Sequence, residues 1–449
     1  MAKRRVFLFH FLQTHEDFRL AEWRSVCRLV GLEKYVDVLQ EATAPLVLLE
    51  IDDEEEIRRL LGRLVLLKSV FEVLGQNDGD HDALVQWLAE DPPALKELRE
   101  SPASWCLRVR AVGKKRTADY VNAVLEVDLR NPDVEFSIVE QVDAKTGEVQ
   151  RSFFTRLVGH GQTELKSRYS LKERRYIGNS TMDPELALLQ ANLSGVRPGA
   201  LVCDPFAGTG GLLIAAAHFG GLVLGDGDQL PGGAKGRSAR MGEGDLRAGH
   251  HSVAANFVQY KLEDRFLGLV LADASKREMW RVGADGLFDV MVADPPYGVR
   301  EKGSKLGKKE RNPNWLESTN EHEVFFPEKT KYSISSTYLD LMDSAAQLLT
   351  AGGFLSFWFP IVRQSYSPKV LPKHPAMTLV HNCEQVLTSK CSRFVPAIEG
   401  VNSRGFQTCL LVFRKERPPT SEEKAEIEEN CFESSSFRDA VFKPQKADS

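Results

Sequence analysis

Residues 201–203 form a short apolar run that passes directly into Asp204-Pro205-Phe206-Ala207-Gly208-Thr209-Gly210-Gly211 and then into the helix-forming stretch 212–217. A strand turning into a helix through clustered glycines narrows the possible folds. Glycine tolerates positive φ and lets the backbone come close to a ligand, and the new helix offers free N–H groups at its start. Around this turn, apolar strand-like runs at 222–224, 267–271, 288–293 and 354–359 alternate with helix-like stretches at 211–218 and 338–349. That alternation predicts a mainly parallel sheet covered on both faces. A further helix is predicted over 182–196, stopped by Pro198 and Gly199. The fold class is α/β, with a doubly wound C-terminal domain after smaller α+β units.

Three strand ends carry the chemistry. The turn at 204–211 departs from the G-x-G-x-x-G dinucleotide pattern and lacks the Gly-Lys-Ser/Thr of a phosphate loop. A carboxylate at Asp204 repels a pyrophosphate but suits an ammonium group, which points to the amino-acid part of S-adenosylmethionine; Phe206, Ala207, Gly208 and Gly210 complete this cofactor turn. Asp226 and Asp228 follow the second strand, and either can accept the two hydroxyls of a ribose. Asp273, after the third candidate strand, can accept an adenine amino group. The last strand end is Asp294-Pro295-Pro296-Tyr297-Gly298. An exocyclic amine is a poor nucleophile because its lone pair is delocalised into the base. Its hydrogens can be accepted by the Asp294 carboxylate and the Pro295 carbonyl, while Tyr297 stacks on the ring and the two prolines stiffen the loop. No metal is required. The histidines, including His160 and the pair His250-His251, lack ligand spacing, and no G-x-S-x-G nucleophile turn is present.

The 449 residues predict two or three domains. Lys and Arg total 58 against 63 Asp and Glu, a formal charge of -5, which excludes binding of a polyanion through bulk charge alone. Any such contact needs a local patch. The segment 151–175 provides one, with seven basic residues and two acidic ones, and reads as an exposed linker over 156–175. Seven cysteines without a C-x-x-C pair read as reduced thiols of a cytoplasmic protein. Neither a secretion signal nor a membrane-spanning run is expected. The expected domains are an α+β module over 1–75 and a second small α+β unit over 76–155, with strands at 104–112, 123–128 and 134–142. After the linker come a catalytic domain over 176–416, interrupted by a Gly-rich insertion at 229–244, and a partly disordered acidic tail over 417–449.

The chain resembles the class I (Rossmann-like) methyltransferases of the tRNA (guanine-10-N2) type that carry a THUMP RNA-binding domain. The likeness rests on FLQTHEDFRLAEW, RRYIGNSTMDPELALLQAN, DPFAGTGGLLIAAAHFG, NFVQYKLEDRF and ADPPYGVRE, and covers nearly the whole chain. It implies that Asp204, Phe206, Gly208 and Gly210 bind the cofactor, that residues 294–297 form the catalytic loop, and that the unit over 76–155 is the THUMP domain. Where the family has G-x-D-I-D after the second strand, this chain has Gly225-Asp226-Gly227-Asp228, which leaves the ribose-binding acid open between Asp226 and Asp228. The resemblance further implies a small zinc-binding activator subunit covering apolar surface of the catalytic domain, and tRNA as substrate. Arg168, Lys172, Arg174 and Arg175 in the linker, and Arg300 and Lys302 after the catalytic loop, would then hold phosphates. Two other readings are an adenine N6 methyltransferase acting on DNA or RNA and a catalytically silent RNA-binding scaffold.

Overall fold

The computed structural model describes residues 5–40, 44–78, 104–113, 132–143, 145–178, 181–226, 252–270, 276, 279–297, 304–306, 329–363, 366–385, 406–430 and 432. The chain forms two compact units, Met1–Leu165 and Lys166–Ser449.

In the first unit, strand β1 (Arg5–Phe11) leads into helix α1 (Glu16–Leu29), which has Glu16 and Asp17 in its first turn and Arg28 in its last, the charge order that suits the helix dipole. Strand β2 (Leu46–Ile51) is followed by helix α2 (Glu54–Leu61), whose start is capped by Asp53 accepting from the Glu55 N–H. Strands β3 (Leu67–Asp78), β4 (Trp105–Val112), β5 (Val134–Val142) and β6 (Val149–His160) complete one six-stranded sheet, in the order β2-β1-β3-β6-β5-β4. All pairs are antiparallel except β4 with β5. Phe7, Phe9, Trp23, Leu49, Ile57 and Leu60 are among the side chains that bury the helices against the sheet.

The sheet does not divide at residue 75. Strand β3 runs through that position and pairs with β6 along most of its length, so the two expected modules share one hydrogen-bonded sheet. Nor is the linker an exposed connection throughout: β6 extends to His160, and Leu165, Tyr169 and Arg174 are buried. The strand expected at 123–128 and the insertion at 229–244 lie outside the described residues.

The second unit opens with helix α3 (Pro184–Leu193), capped by Asp183 accepting from the Glu185 N–H, with proline at its first position. Then follow β7 (Leu201–Asp204), α4 (Gly211–His218), β8 (Leu222–Asp226), α5 (Val253–Tyr260), β9 (Phe266–Val270) and β10 (Phe288–Ala293). A small antiparallel pair, β11 (Ser304–Leu306) with β12 (Lys329–Lys331), precedes helix α6 (Ile334–Leu348), β13 (Leu349–Val362), β14 (Met377–Gln385) and β15 (Phe406–Lys415). The main sheet has the order β14-β15-β13-β10-β7-β8-β9, and only β15 runs against its neighbours.

The expected tail is ordered in part. Lys373 bridges to Glu426, the Ala425 N–H donates to Asp343, and Phe432 stacks on Tyr338 in the main core. The acidic composition of that segment concealed Ala425, Ile427 and Phe432, which pack on the core.

Candidate active site

In the main sheet the chain order reverses at β7, which has β8 on one side and β10 on the other. Such a reversal opens a crevice at the carboxyl ends of the strands. Asp204 ends β7 there and is buried, and its Oδ1 accepts the Phe206 N–H at 2.9 Å, folding the chain sharply out of the strand. Gly208 and Gly210 have φ of 49° and 79°, a region side-chain-bearing residues avoid. Gly210 is the N-cap of α4, which leaves the first-turn N–H groups without partners inside the helix and facing the turn. A Cβ on Gly210 would stand 2.7 Å from Val253 Cγ1, and one on Gly225 would stand 2.7 Å from Ala207 Cβ. The turn is therefore closely backed by α5 and β8.

Three further residues hold the turn from outside it. Thr181 Oγ1 and Thr209 Oγ1 lie 2.8 Å apart. The buried Asn256 exchanges bonds of 2.9 and 2.7 Å with the backbone of Tyr176 and reaches the Thr209 carbonyl at 3.4 Å. Sequence reasoning gave Thr181, Tyr176 and Asn256 no role, although all three lie inside the quoted blocks. A polar residue in a helix or loop carries no sign of which backbone it will meet.

At β10, Met291 stands opposite Cys203 of β7 in parallel register, so Asp294 and the glycine turn emerge from neighbouring strands at the same end. Asp294 and Tyr297 are half-buried and Pro295 is buried. The Tyr297 hydroxyl donates to Asp294 Oδ1 at 2.5 Å. Burial, then the Asp294 charge and the Tyr338 phenol, hold the Tyr297 phenol well above the usual tyrosine range. It therefore stays protonated and keeps its proton for the bond to Asp294.

Asp226 lies at the end of β8, one residue beyond Gly225, the register partner of Asp204. Asp228, Asp273, Arg300 and Lys302 lie outside the described residues. Of the four linker cations, Arg168, Lys172 and Arg175 are exposed. Arg174 is not: it is 6% exposed, donates to the Tyr169 carbonyl and the Tyr260 hydroxyl, and lies over the Tyr260 ring. Counting charges along the linker could not show that one of them turns inward. No described helix is long and apolar enough to cross a membrane.

A sheet of this order, reversed only at β15 and opening beside a glycine turn and an Asp-Pro-Pro-Tyr strand end, defines a class I methyltransferase. Residues 5–163 match the family model described as the Tmrp11 THUMP N-terminal domain, and residues 172–226 match the RMKL-like methyltransferase domain. The THUMP match thus spans both modules expected over 1–155. The tRNA (guanine(10)-N(2))-methyltransferase TRMT11 of Gallus gallus is 32% identical over 88% of this chain and 88% of its own length. The tRNA (guanine(10)-N(2))-methyltransferase of Saccharomyces cerevisiae is 27% identical over 84% and 89%. The crystal structure of TrmN from Thermus thermophilus is similar at a TM-score of 0.44 and 17% identity, over 91% of this chain and 99% of that one. The chain belongs to the tRNA (guanine(10)-N(2))-methyltransferase family.

Proposed function

We propose that this chain is the catalytic subunit of a methyltransferase that modifies the exocyclic N2 of guanine 10 in tRNA. The observation that carries the reading is the parallel register of β7 and β10, which puts the Asp204 turn beside the Asp294 carboxylate. The donors fit S-adenosylmethionine: a buried carboxylate for an ammonium, first-turn N–H groups for a carboxylate, and a turn closed to side chains at Gly210. When bound, that cofactor supplies an electrophilic methyl group. The Tyr297 hydroxyl donates to Asp294 until a base amino group replaces it as donor. Asp294 then fixes one amine hydrogen, accepts the proton that the nitrogen loses, and leaves the Tyr297 ring free to stack. Asp226 or Asp228 would hold the ribose and Asp273 the adenine.

The exposed Arg168, Lys172 and Arg175, with Arg300 and Lys302, would hold tRNA phosphates. A small zinc-binding activator subunit would cover the edge strand β9, where Leu267 and Leu269 are 54% and 44% exposed and the α5 residue Val258 is 54% exposed. The buried free cysteines Cys27 and Cys106 fit a cytoplasmic setting. Mass analysis of nucleosides from tRNA incubated with the chain and S-adenosylmethionine, with and without the co-expressed activator, tests the proposal. N2-methylguanosine is expected, and mass analysis of an oligonucleotide digest should place it at position 10. N6-methyladenosine alone would replace this reading with the adenine one, and no product in either arm would favour a silent scaffold.

A further inference from the structure

Helix α3 is buried along its whole length, and among its apolar residues sits a fully buried amide, Gln190. Its Nε2 donates to Ser356 Oγ at 3.0 Å and to the Ser356 carbonyl at 3.2 Å, and reaches the Ala293 carbonyl at 3.4 Å. Its Oε1 accepts the Trp358 indole N–H at 2.8 Å. Ser194 Oγ lies 2.7 Å from Ser356 Oγ, and both serines are fully buried. Ser356 stands opposite Val292 in the parallel pairing of β13 with β10, so one amide ties the carboxyl end of β10 to the middle of β13. Ala293 is the last residue of β10, and the peptide it begins is the one that carries Asp294.

A buried polar network is costly if any partner is lost, whereas a Met or Leu of similar volume would fill the same space without that liability. Apolar packing, however, does not set the rotation of a peptide carbonyl. We propose that Gln190 is a positioning residue for Asp294: by holding the Ala293 carbonyl against Ser356 it sets the direction in which the catalytic loop leaves the sheet. This rests on the reading of Asp294 as the group that takes the amine hydrogen.

The test uses the full chain with its activator and tRNA, in three variants: Gln190→Met, Trp358→Phe, and the triple Gln190→Met/Ser356→Ala/Trp358→Phe, which removes partners along with the amide. Thermal midpoint, S-adenosylhomocysteine affinity, tRNA affinity and kcat are read for each. Gln190→Met and the triple should keep both affinities within about threefold while kcat falls by about tenfold or more, a pattern of loss confined to the transition state. Trp358→Phe leaves the Nε2 donors in place and should keep kcat within about twofold. A triple variant with parental kcat would overturn the proposal, as would a loss in Trp358→Phe equal to that of Gln190→Met. The latter comparison still decides if the triple does not fold. Guanosine methylation by the parent chain, measured in the same series, tests the underlying reading separately.

Discussion

The two sheets use charge in opposite ways. In the six-stranded sheet, ionic side chains pair with one another: Arg5 and Arg156 both bridge to Glu54 and Glu72, and Arg108 and Arg110 both pair with Glu135. In the seven-stranded sheet, the bonds accepted by the crevice carboxylates include a backbone N–H at Asp204 and a phenol at Asp294. Paired charge cancels, and what it contributes is structure. The ion pairs of the first unit serve its structure, while in the second unit Asp204 and Asp294 stand at the carboxyl ends of neighbouring parallel strands.

The largest effect that would sharpen this contrast is at Asp294. Asp294→Ala should lower kcat by about 10²- to 10⁴-fold while leaving tRNA and S-adenosylhomocysteine affinities within a few-fold. Single-turnover assays with binding titrations check it, and near-parental turnover would remove the carboxylate from the chemistry. Next is Gly210→Val, which combines strain of about 1 to 2 kcal/mol at positive φ with a clash against Val253. Calorimetry should show S-adenosylhomocysteine affinity lost, whereas Gly208→Ala, whose Cβ would meet only the Phe206 carbonyl at 3.7 Å, should lose less.

In the other sheet, Arg156→Met should cost about 1 to 3 kcal/mol by leaving Glu54 and Glu72 short of partners, with no specific loss of kcat in the fraction that remains folded. Burial pushes both glutamates up, but hydrogen bonds from Arg156 and Arg5 outweigh it and hold both below the usual value of 4.5. Their folded values being depressed, this stability is fully present above about pH 4.5 and is lost as pH falls through the lower folded values. Thermal midpoints measured from about pH 6 to pH 3 should drop less steeply in Glu54→Gln/Glu72→Gln than in the parent, relative to neutral pH. The smallest effect concerns surface cations. Replacing Arg168, Lys172 and Arg175 by Ala should reduce the salt slope of tRNA binding by roughly 0.7 to 0.9 per lost phosphate contact. Adding Arg174→Ala should lower stability, because that guanidinium is buried. An unchanged slope in the triple variant would place tRNA recognition elsewhere on the chain.

The same contrast explains what the sequence could reveal. The parallel sheet was legible because strand, turn and helix follow one another locally: β10 falls on the expected 288–293, and the glycine turn stands where its residues put it. The six-stranded sheet was divided wrongly because β3 finds β6 across a long stretch of chain, and neither strand carries a local mark of the other. At the site, Asp204 and Asp294 could be singled out because each heads a motif whose residues are contiguous in the sequence at a strand end. Thr181, Asn256 and Gln190 could not, since their roles consist of contacts with backbone or side chains far away in sequence. Arg174 and Phe432 failed for the same reason in reverse: composition marked their segments as solvent-facing, and tertiary packing took them inward.

The pairing of β3 with β6 also bears on how the chain leaves the ribosome. Strands β1, β2 and β3 emerge early and can pair with each other, but the free edge of β3 stays open until residues 149–160 have been synthesised. During that interval a strand containing Val70, Phe71 and Val73 presents unpaired N–H and C=O groups to any nascent chain nearby. A chain held within this window carries an open strand edge, the arrangement through which unfinished chains associate.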